Sequence, residues 1–148
     1  MPTPSFEQLV QFREDYVDSW NSGDKERFAA NWRQFLASDD GFQMFDPVGT
    51  PMKRGLVACA LDPFDLWQPL VRFNVPKETF FVCANEIAWV MENIFDDNGT
   101  EVRSASIENY TFTGDREVHI RTWYVVPSGG PLAEPMNEYL PDGSPNAD

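Results

Sequence analysis

Phe42-Gln43-Met44-Phe45-Asp46-Pro47-Val48-Gly49-Thr50-Pro51 is the stretch around which the chain is read. Its first half alternates as a half-buried strand does, and a turn rich in Pro and Gly follows at once. Side chains on a strand point to opposite faces in turn, so Asp46 falls on the face of Phe42 and Met44, and Phe45 on the other. If that face is the interior one, Asp46 is a carboxyl among apolar groups, which makes a poised base or acid. The same residues also describe a turn cap, because Asp-Pro commonly opens turns. Taken alone, they favour the cap.

The chain has 148 residues, which suits one domain with one core. Aromatic residues make up 14% and are spread along the sequence, which argues against disorder. The formal net charge is -13, so nucleic acid and anionic lipid would be repelled. A neutral or cationic small molecule, or a protein partner, stays open. The sequence contains no apolar run long enough to span a membrane and no basic-plus-apolar leader, so a cytoplasmic protein is expected. Cys59 and Cys83 lack metal-ligand spacing and read as free, buried thiols. Asn98-Gly99-Thr100 and Asn109-Tyr110-Thr111 match the glycosylation pattern, which carries little weight without a secretory leader.

Ser5 followed by Gln8 signals a capping box, and Phe6, Leu9, Val10, Tyr16, Val17 and Trp20 recur at helical spacing. A first helix is therefore expected from about Ser5 to Asn21. Ser22-Gly23 ends it and Asp24 caps a second helix, whose apolar face is Phe28, Trp32, Phe35 and Leu36. Lys53-Arg54-Gly55 precedes a short helical stretch; Asp62-Pro63 reads as an N-cap with Pro in the first turn, and Pro69 keeps that helix short or kinked. Beyond Pro76 the pattern turns to strands: Thr79 to Ala84, Asn85 to Phe95, Glu101 to Phe112 and Glu117 to Val126. Asp96-Asp97-Asn98-Gly99 and Thr113-Gly114-Asp115-Arg116 are the hairpin turns between the last three. Residues 127–148 hold five prolines and little periodicity, and read as a tail on the surface or over a partner. No internal repeat is present.

This order gives an α+β fold of one domain, residues 1–126, with a Pro-rich C-terminal tail, residues 127–148. Helices would cover one face of a curved antiparallel sheet. Such a cone must be filled by side chains or by a ligand. On the last strand, Val118, Ile120, Thr122 and Tyr124 are expected to look inward. His119, Arg121 and Trp123 are expected to look outward, against a second copy of the chain in a homodimer.

Three polar groups could meet inside the cone: Tyr16, Asp46 and Glu108. Tyr16 belongs to the apolar stripe of the first helix, where a tyrosine is usually core with its hydroxyl satisfied at an edge. Glu108 alternates with Ser106 and Tyr110 on one face, and the usual fate of a strand Glu is solvent. The functional reading instead places it inside, protonated, as a hydrogen-bond donor.

The residues carry a resemblance to the ketosteroid isomerase branch of the NTF2-like (SnoaL-like) superfamily. Asp46-Pro47-Val48-Gly49, then Gly55, resembles the general-base segment of bacterial steroid Δ5-3-ketoisomerases. Tyr16-Val17-Asp18-Ser19-Trp20-Asn21-Ser22-Gly23-Asp24 resembles the helix segment that carries their oxyanion tyrosine. Ala84-Asn85-Glu86 through Phe112 runs beside the corresponding segment without a gap, and sets Glu108 where that family has its protonated aspartic acid. The resemblance spans roughly residues 5 to 126. It implies a hydrophobic pocket in which Asp46 takes a proton from carbon next to a carbonyl, while Tyr16 and Glu108 donate hydrogen bonds to the forming enolate. Two departures matter. The interval from Asp24 to Asp46 is longer than the family's, and no tyrosine follows Gly55 where some members place supporting ones. Trp32 or Phe35 is expected in those places.

Trp20, Trp32, Phe35, Met44, Trp67, Trp89, Ile120 and Tyr124 are the candidates for contacting substrate, although aromatic residues of this kind are more often simply core. His119 faces away from Ile120 and Tyr124 and is read as structural. Asp39-Asp40 and Asp96-Asp97 lie in turns without His or Cys partners, so neither a metal nor another cofactor is expected. The leading reading is a cofactor-independent enzyme isomerising a double bond in a hydrophobic cyclic or aromatic molecule. A dehydratase, a polyketide cyclase or a retro-aldol lyase could use the same carboxylate, and epoxide hydrolysis fits less well. The non-enzymatic alternative is a ligand-binding or dimerisation module.

Overall fold

The computed structural model describes residues 3–141. Helix α1 (Phe6–Ser22) opens with a full capping box: Gln8 N–H donates to Ser5 Oγ at 3.1 Å, and Ser5 N–H donates to Gln8 Oε1 at 2.8 Å. Gly23 takes a left-handed conformation at its end (φ 75°), and Asp24 then caps α2 (Lys25–Arg33). Leu9, Phe12, Tyr16 and Trp20 form the buried stripe of α1. Asn31 on α2 donates to Ser19 Oγ and to Asp15 O, which joins the two helices.

Strands β1 (Phe42–Phe45) and β2 (Lys53–Arg54) form a small hairpin around the Asp46–Pro51 turn. The following helix corrects the sequence reading. The chain is already helical at Leu56, continues through a wide π turn over Val57–Leu61, and runs straight into α3 (Asp62–Trp67). Asp62 is therefore an interior helix residue and not an N-cap. The wide turn just before Pro63 suits a residue with no N–H to give. Strand β3 (Val71–Asn74) follows the turn at Pro69; it is too short for its alternation to have stood out. Then come β4 (Phe80–Cys83), β5 (Glu86–Asp97), β6 (Thr100–Phe112) and β7 (Val118–Trp123). The β5–β6 turn has positive φ at Asn98 and Gly99, as a type I′ hairpin requires.

The sheet order is β2-β1-β7-β6-β5-β3, with β4 on the same edge of β5 as β3. All pairs are antiparallel except β1 with β7, which run parallel with Met44 opposite Ile120. The sheet is curved and unclosed, and the helices cover its inner face. Trp20 Nε1 donates to Val71 O at 2.9 Å, and the Asn21 amide makes paired bonds to the backbone of Phe73, so α1 is tied to β3. The core gathers around Phe12, whose ring meets those of Tyr16, Trp32, Phe35, Trp89, Tyr110 and Phe112. Val118, Ile120 and Thr122 are buried, while Arg121 and Trp123 face outward.

The segment after Val126 is more ordered than its composition indicates. It folds back across the domain and forms α4 (Ala133–Tyr139). Leu132, Met136 and Leu140 recur every four residues and are all buried. This is a periodicity that the prolines masked. Residues 142–148 lie outside the described part of the chain.

Candidate active site

A cavity of about 300 Å³ lies between the inner face of the sheet, the helices α1, α2 and α3, and the returning C-terminal segment. Its walls are mainly apolar, with Trp20, Phe73, Met91 and Met136 among them. Tyr16, Asp46 and Glu108 all line it.

Asp46 follows the last residue of β1, on the face of the buried Phe42 and Met44. The turn after it is pinned to β7, because Val48 N–H donates to Thr122 O at 2.8 Å. Thr50 closes the turn on itself by donating its backbone N–H and its hydroxyl to Pro47 O. The Asp46 carboxyl accepts from Thr122 Oγ1 at 2.6 Å through Oδ1, and from the Tyr139 hydroxyl through Oδ2. The Tyr124 hydroxyl approaches the same carboxyl.

Glu108 lies in register with Thr122 on β7 and with Trp89 on β5. Thr122 thus stands between Asp46 and Glu108 in one cross-strand row. At the usual strand spacing the two acidic residues sit on backbones about 10 Å apart, which leaves space for a ring between them. Glu108 is only 7% exposed. Its Oε1 accepts from Trp89 Nε1 at 3.2 Å and its Oε2 from the Tyr110 hydroxyl at 3.0 Å. Burial first, and then the charge of Asp46, push its carboxyl up to about 7, against the pull of the Trp89, Tyr110 and Ser106 donors. Near neutral pH, Glu108 is therefore available in its protonated form.

Tyr16 is buried, with its ring tilted against Trp89 at 5.3 Å and edge-on to Trp32 at 5.6 Å. Its hydroxyl adjoins that of Tyr110. Burial, and then the neighbouring Glu108, hold it well above the usual tyrosine range, so it remains a donor. Tyr16, Tyr110 and Glu108 form one chain of hydroxyl and carboxyl groups at the inner end of the cavity.

Of the residues expected to contact substrate, Trp20, Trp32, Met44, Trp67, Ile120 and Tyr124 are on the cavity wall. Phe35 and Trp89 are not. Phe35 lies past the end of α2 and packs against Phe12 and Phe112, at 5.4 and 4.8 Å between ring centres. Trp89 is 1% exposed and stands one strand behind Glu108, which it holds through its indole N–H. The hydroxyl beside that of Tyr16 is Tyr110's; of the two residues expected beside Tyr16, Trp32 meets its ring edge-on and Phe35 packs elsewhere. Tyr110 shared the face of Glu108 by alternation, so its signal was present. Thr122 was visible as an inward residue, but its bond to Asp46 was not. Nothing in the sequence pointed to Tyr139.

Cys59 is buried beside the cavity and Cys83 is exposed, which corrects the expectation that both are buried. Cys83 takes an outward position near the end of the edge strand β4. Among the described residues no group of three or more His, Cys, Asp or Glu side chains is arranged to hold a metal ion. No Arg, Lys or His is among the described residues lining the cavity, and its two carboxyl groups, Asp46 and Glu108, disfavour an anionic ligand. No helix among the described residues is long and apolar enough to cross a membrane.

No family model and no curated protein matches the sequence. Solved structures do match. The enzyme SalBIII, described as epoxide hydrolase/cyclase-like with a role in pyran ring formation in the polyether salinomycin, aligns with a TM-score of 0.61 at 16% identity, covering 80% of this chain and 91% of that one. A protein named as a SnoaL-like polyketide cyclase from Jannaschia sp. aligns with a TM-score of 0.61 at 14% identity, over 83% and 89% of the two chains. A Δ5-3-ketosteroid isomerase from Mycobacterium sp. aligns with a TM-score of 0.55 at 23% identity, over 79% and 92%. At these identities the likeness is one of fold. Helices laid across a curved, unclosed sheet of this order around an apolar cavity are the NTF2-like, SnoaL-like architecture, and that is the fold of this chain.

Proposed function

We propose that the protein is a cofactor-independent enzyme that abstracts a proton from carbon next to a carbonyl in a neutral, hydrophobic, cyclic or aromatic substrate. The observation that carries this reading is the meeting of Asp46, Glu108 and Tyr16 on one apolar cavity. Asp46 takes the proton. Tyr16 and the protonated Glu108 donate to the carbonyl oxygen as it becomes an enolate. Donors fixed in a dry site stabilise developing charge without having to reorganise, and loss of one typically costs on the order of 10²–10³ in rate. Return of the proton to a different carbon completes a double-bond isomerisation, the reaction for which the site is best equipped. Elimination or retro-aldol cleavage is the second reading. It is favoured by the Tyr124 hydroxyl beside Asp46, which is placed to protonate a leaving oxygen.

The test needs no knowledge of the natural substrate. Hydrophobic cyclic ketones, a 5-ene-3-ketosteroid among them, are incubated with the protein in D₂O, and loss of the proton at the carbon next to the carbonyl is followed by NMR. Exchange well above the buffer rate, lowered by on the order of 10²–10⁴ in Asp46→Asn, is expected. Exchange that survives Asp46→Asn would remove Asp46 as the base.

The same reading includes a homodimer. Ile107 and Trp123 pair across β6 and β7 on the outer face and are 53% and 41% exposed. An apolar row of this kind fits against a second copy of the sheet. Light scattering should give twice the chain mass, with Trp123→Glu shifting it to one; a monomeric wild type contradicts the dimer.

A further inference from the structure

The Asp46 carboxyl is gripped on both oxygens, and one of the two grips comes from the C-terminal segment. Thr122 donates to Oδ1 from inside the sheet, and Tyr139 donates to Oδ2 from α4. A carboxylate offers about four lone-pair sites; Thr122, Tyr139 and the approaching Tyr124 hydroxyl take three, which leaves one for an incoming proton. Two donors on opposite oxygens also fix the plane of the carboxyl, which a single donor would leave free to rotate.

Tyr139 is itself held from several sides. Lys53 Nζ sits 3.4 Å above its ring centre, and Trp67 meets the ring edge-on at 5.8 Å. Leu132, Met136 and Leu140 bury the apolar side of its helix. Lys53 is on β2, paired with Met44 on β1, so one hairpin carries both the carboxyl that Tyr139 holds and the cation that holds Tyr139. Nothing else in the proposed chemistry uses this half-buried lysine. Burial lowers its affinity for a proton, partly restored by the charge of Asp46.

We propose that Tyr139 is a positioning residue for Asp46, and that residues 127–140 thereby complete the active site. The proposal rests on the reading of Asp46 as the base. The proton passes from substrate carbon to an Asp46 oxygen and returns to carbon, and Tyr139 keeps its own proton throughout. Burial and the charge of Asp46 hold its hydroxyl well above the usual tyrosine range, in keeping with that role. The segment also shields the cavity, because Leu132, Met136 and Tyr139 are part of its wall.

Two measurements test this. The first needs no turnover: a downfield hydroxyl proton in the NMR spectrum, and slow amide exchange over residues 133–140, are followed in the wild type, Tyr139→Phe and Asp46→Ala. Loss of the resonance with faster helix exchange in both variants is expected; a resonance and exchange unchanged in both overturn the proposal. The second is the proton-exchange assay with a cyclic ketone. Tyr139→Phe should lower kcat about tenfold, the typical weight of a hydrogen bond to a charged group, with KM within about twofold. A lost resonance with kcat unchanged makes Tyr139 a packing residue only and overturns the proposal. Failure of the base reading shows separately, as Asp46→Asn retaining the wild-type rate.

Discussion

Tyr110 donates its hydroxyl to Oε2 of Glu108 at 3.0 Å, from two residues further along the same strand. Alternation puts both side chains on the inner face, so β6 carries an acid together with one of its own supports. The bond favours the ionised carboxylate and opposes the effect of burial. Tyr110→Phe should therefore move the Glu108 titration upward from its value of about 7. Carbon-13 NMR of the side-chain carboxyl measures this directly. A downward or null shift would show that Tyr110 does not stabilise the charge.

Burial of Glu108 also leaves a mark on stability. Its carboxyl titrates near 4.5 in the unfolded chain and near 7 in the folded protein. Between these values the folded state holds a proton that the unfolded state has released. Stability from this residue is thus highest at low pH, falls as pH rises through the window, and levels off above it. The loss is on the order of 3 kcal/mol. Urea midpoints at about pH 5 and about pH 8 should differ in this direction, and Glu108→Gln should reduce the difference. An unchanged difference in that variant assigns the pH dependence to other groups.

The two cysteines should separate cleanly in reactivity. Burial pushes the Cys59 thiol up to about 12, and its Sγ donates to Phe42 O at 3.6 Å. Cys83 is exposed. Alkylation in the native state followed by peptide mapping should modify Cys83 first and leave Cys59 unreacted until the chain unfolds. Equal rates would show that the cavity wall opens readily around Cys59.

Much of this arrangement was legible in local chemistry. Ser5 and Gln8, Gly23 and Asp24, and Asn98 and Gly99 act within a few residues of themselves, and the helix and hairpin limits that they mark are observed. Alternation alone put Asp46 with Phe42 and Met44, and Thr122 with Ile120. What stayed hidden depends on contacts between distant parts of the chain. Trp89 reads as a wall residue until β5 is seen to stand behind β6, where its ring packs in the core and its indole N–H meets Glu108. Phe35 continues the apolar face of α2 but lies beyond the helix end, at the closed side of the core. Asp62-Pro63 looks like a helix start because Asp followed by Pro is a common N-cap pair, although the chain is already helical from Leu56. Tyr139 is 93 residues from Asp46, and its short helix carries a proline in the first turn, which hides it in the sequence.

In the proposed reaction the inner end of the cavity stabilises an enolate. A naphthol is a stable mimic, since its oxygen can be neutral or anionic within the same ring plane. Ultraviolet difference titration of 2-naphthol bound to the protein reports which form the site prefers. Tight binding is expected, with the bound phenol ionising at lower pH than in free solution. Tyr16→Phe and Glu108→Gln should each weaken binding by roughly tenfold or more. Absence of binding, or binding indifferent to both substitutions, would rule out Tyr16 and Glu108 as donors to an enolate.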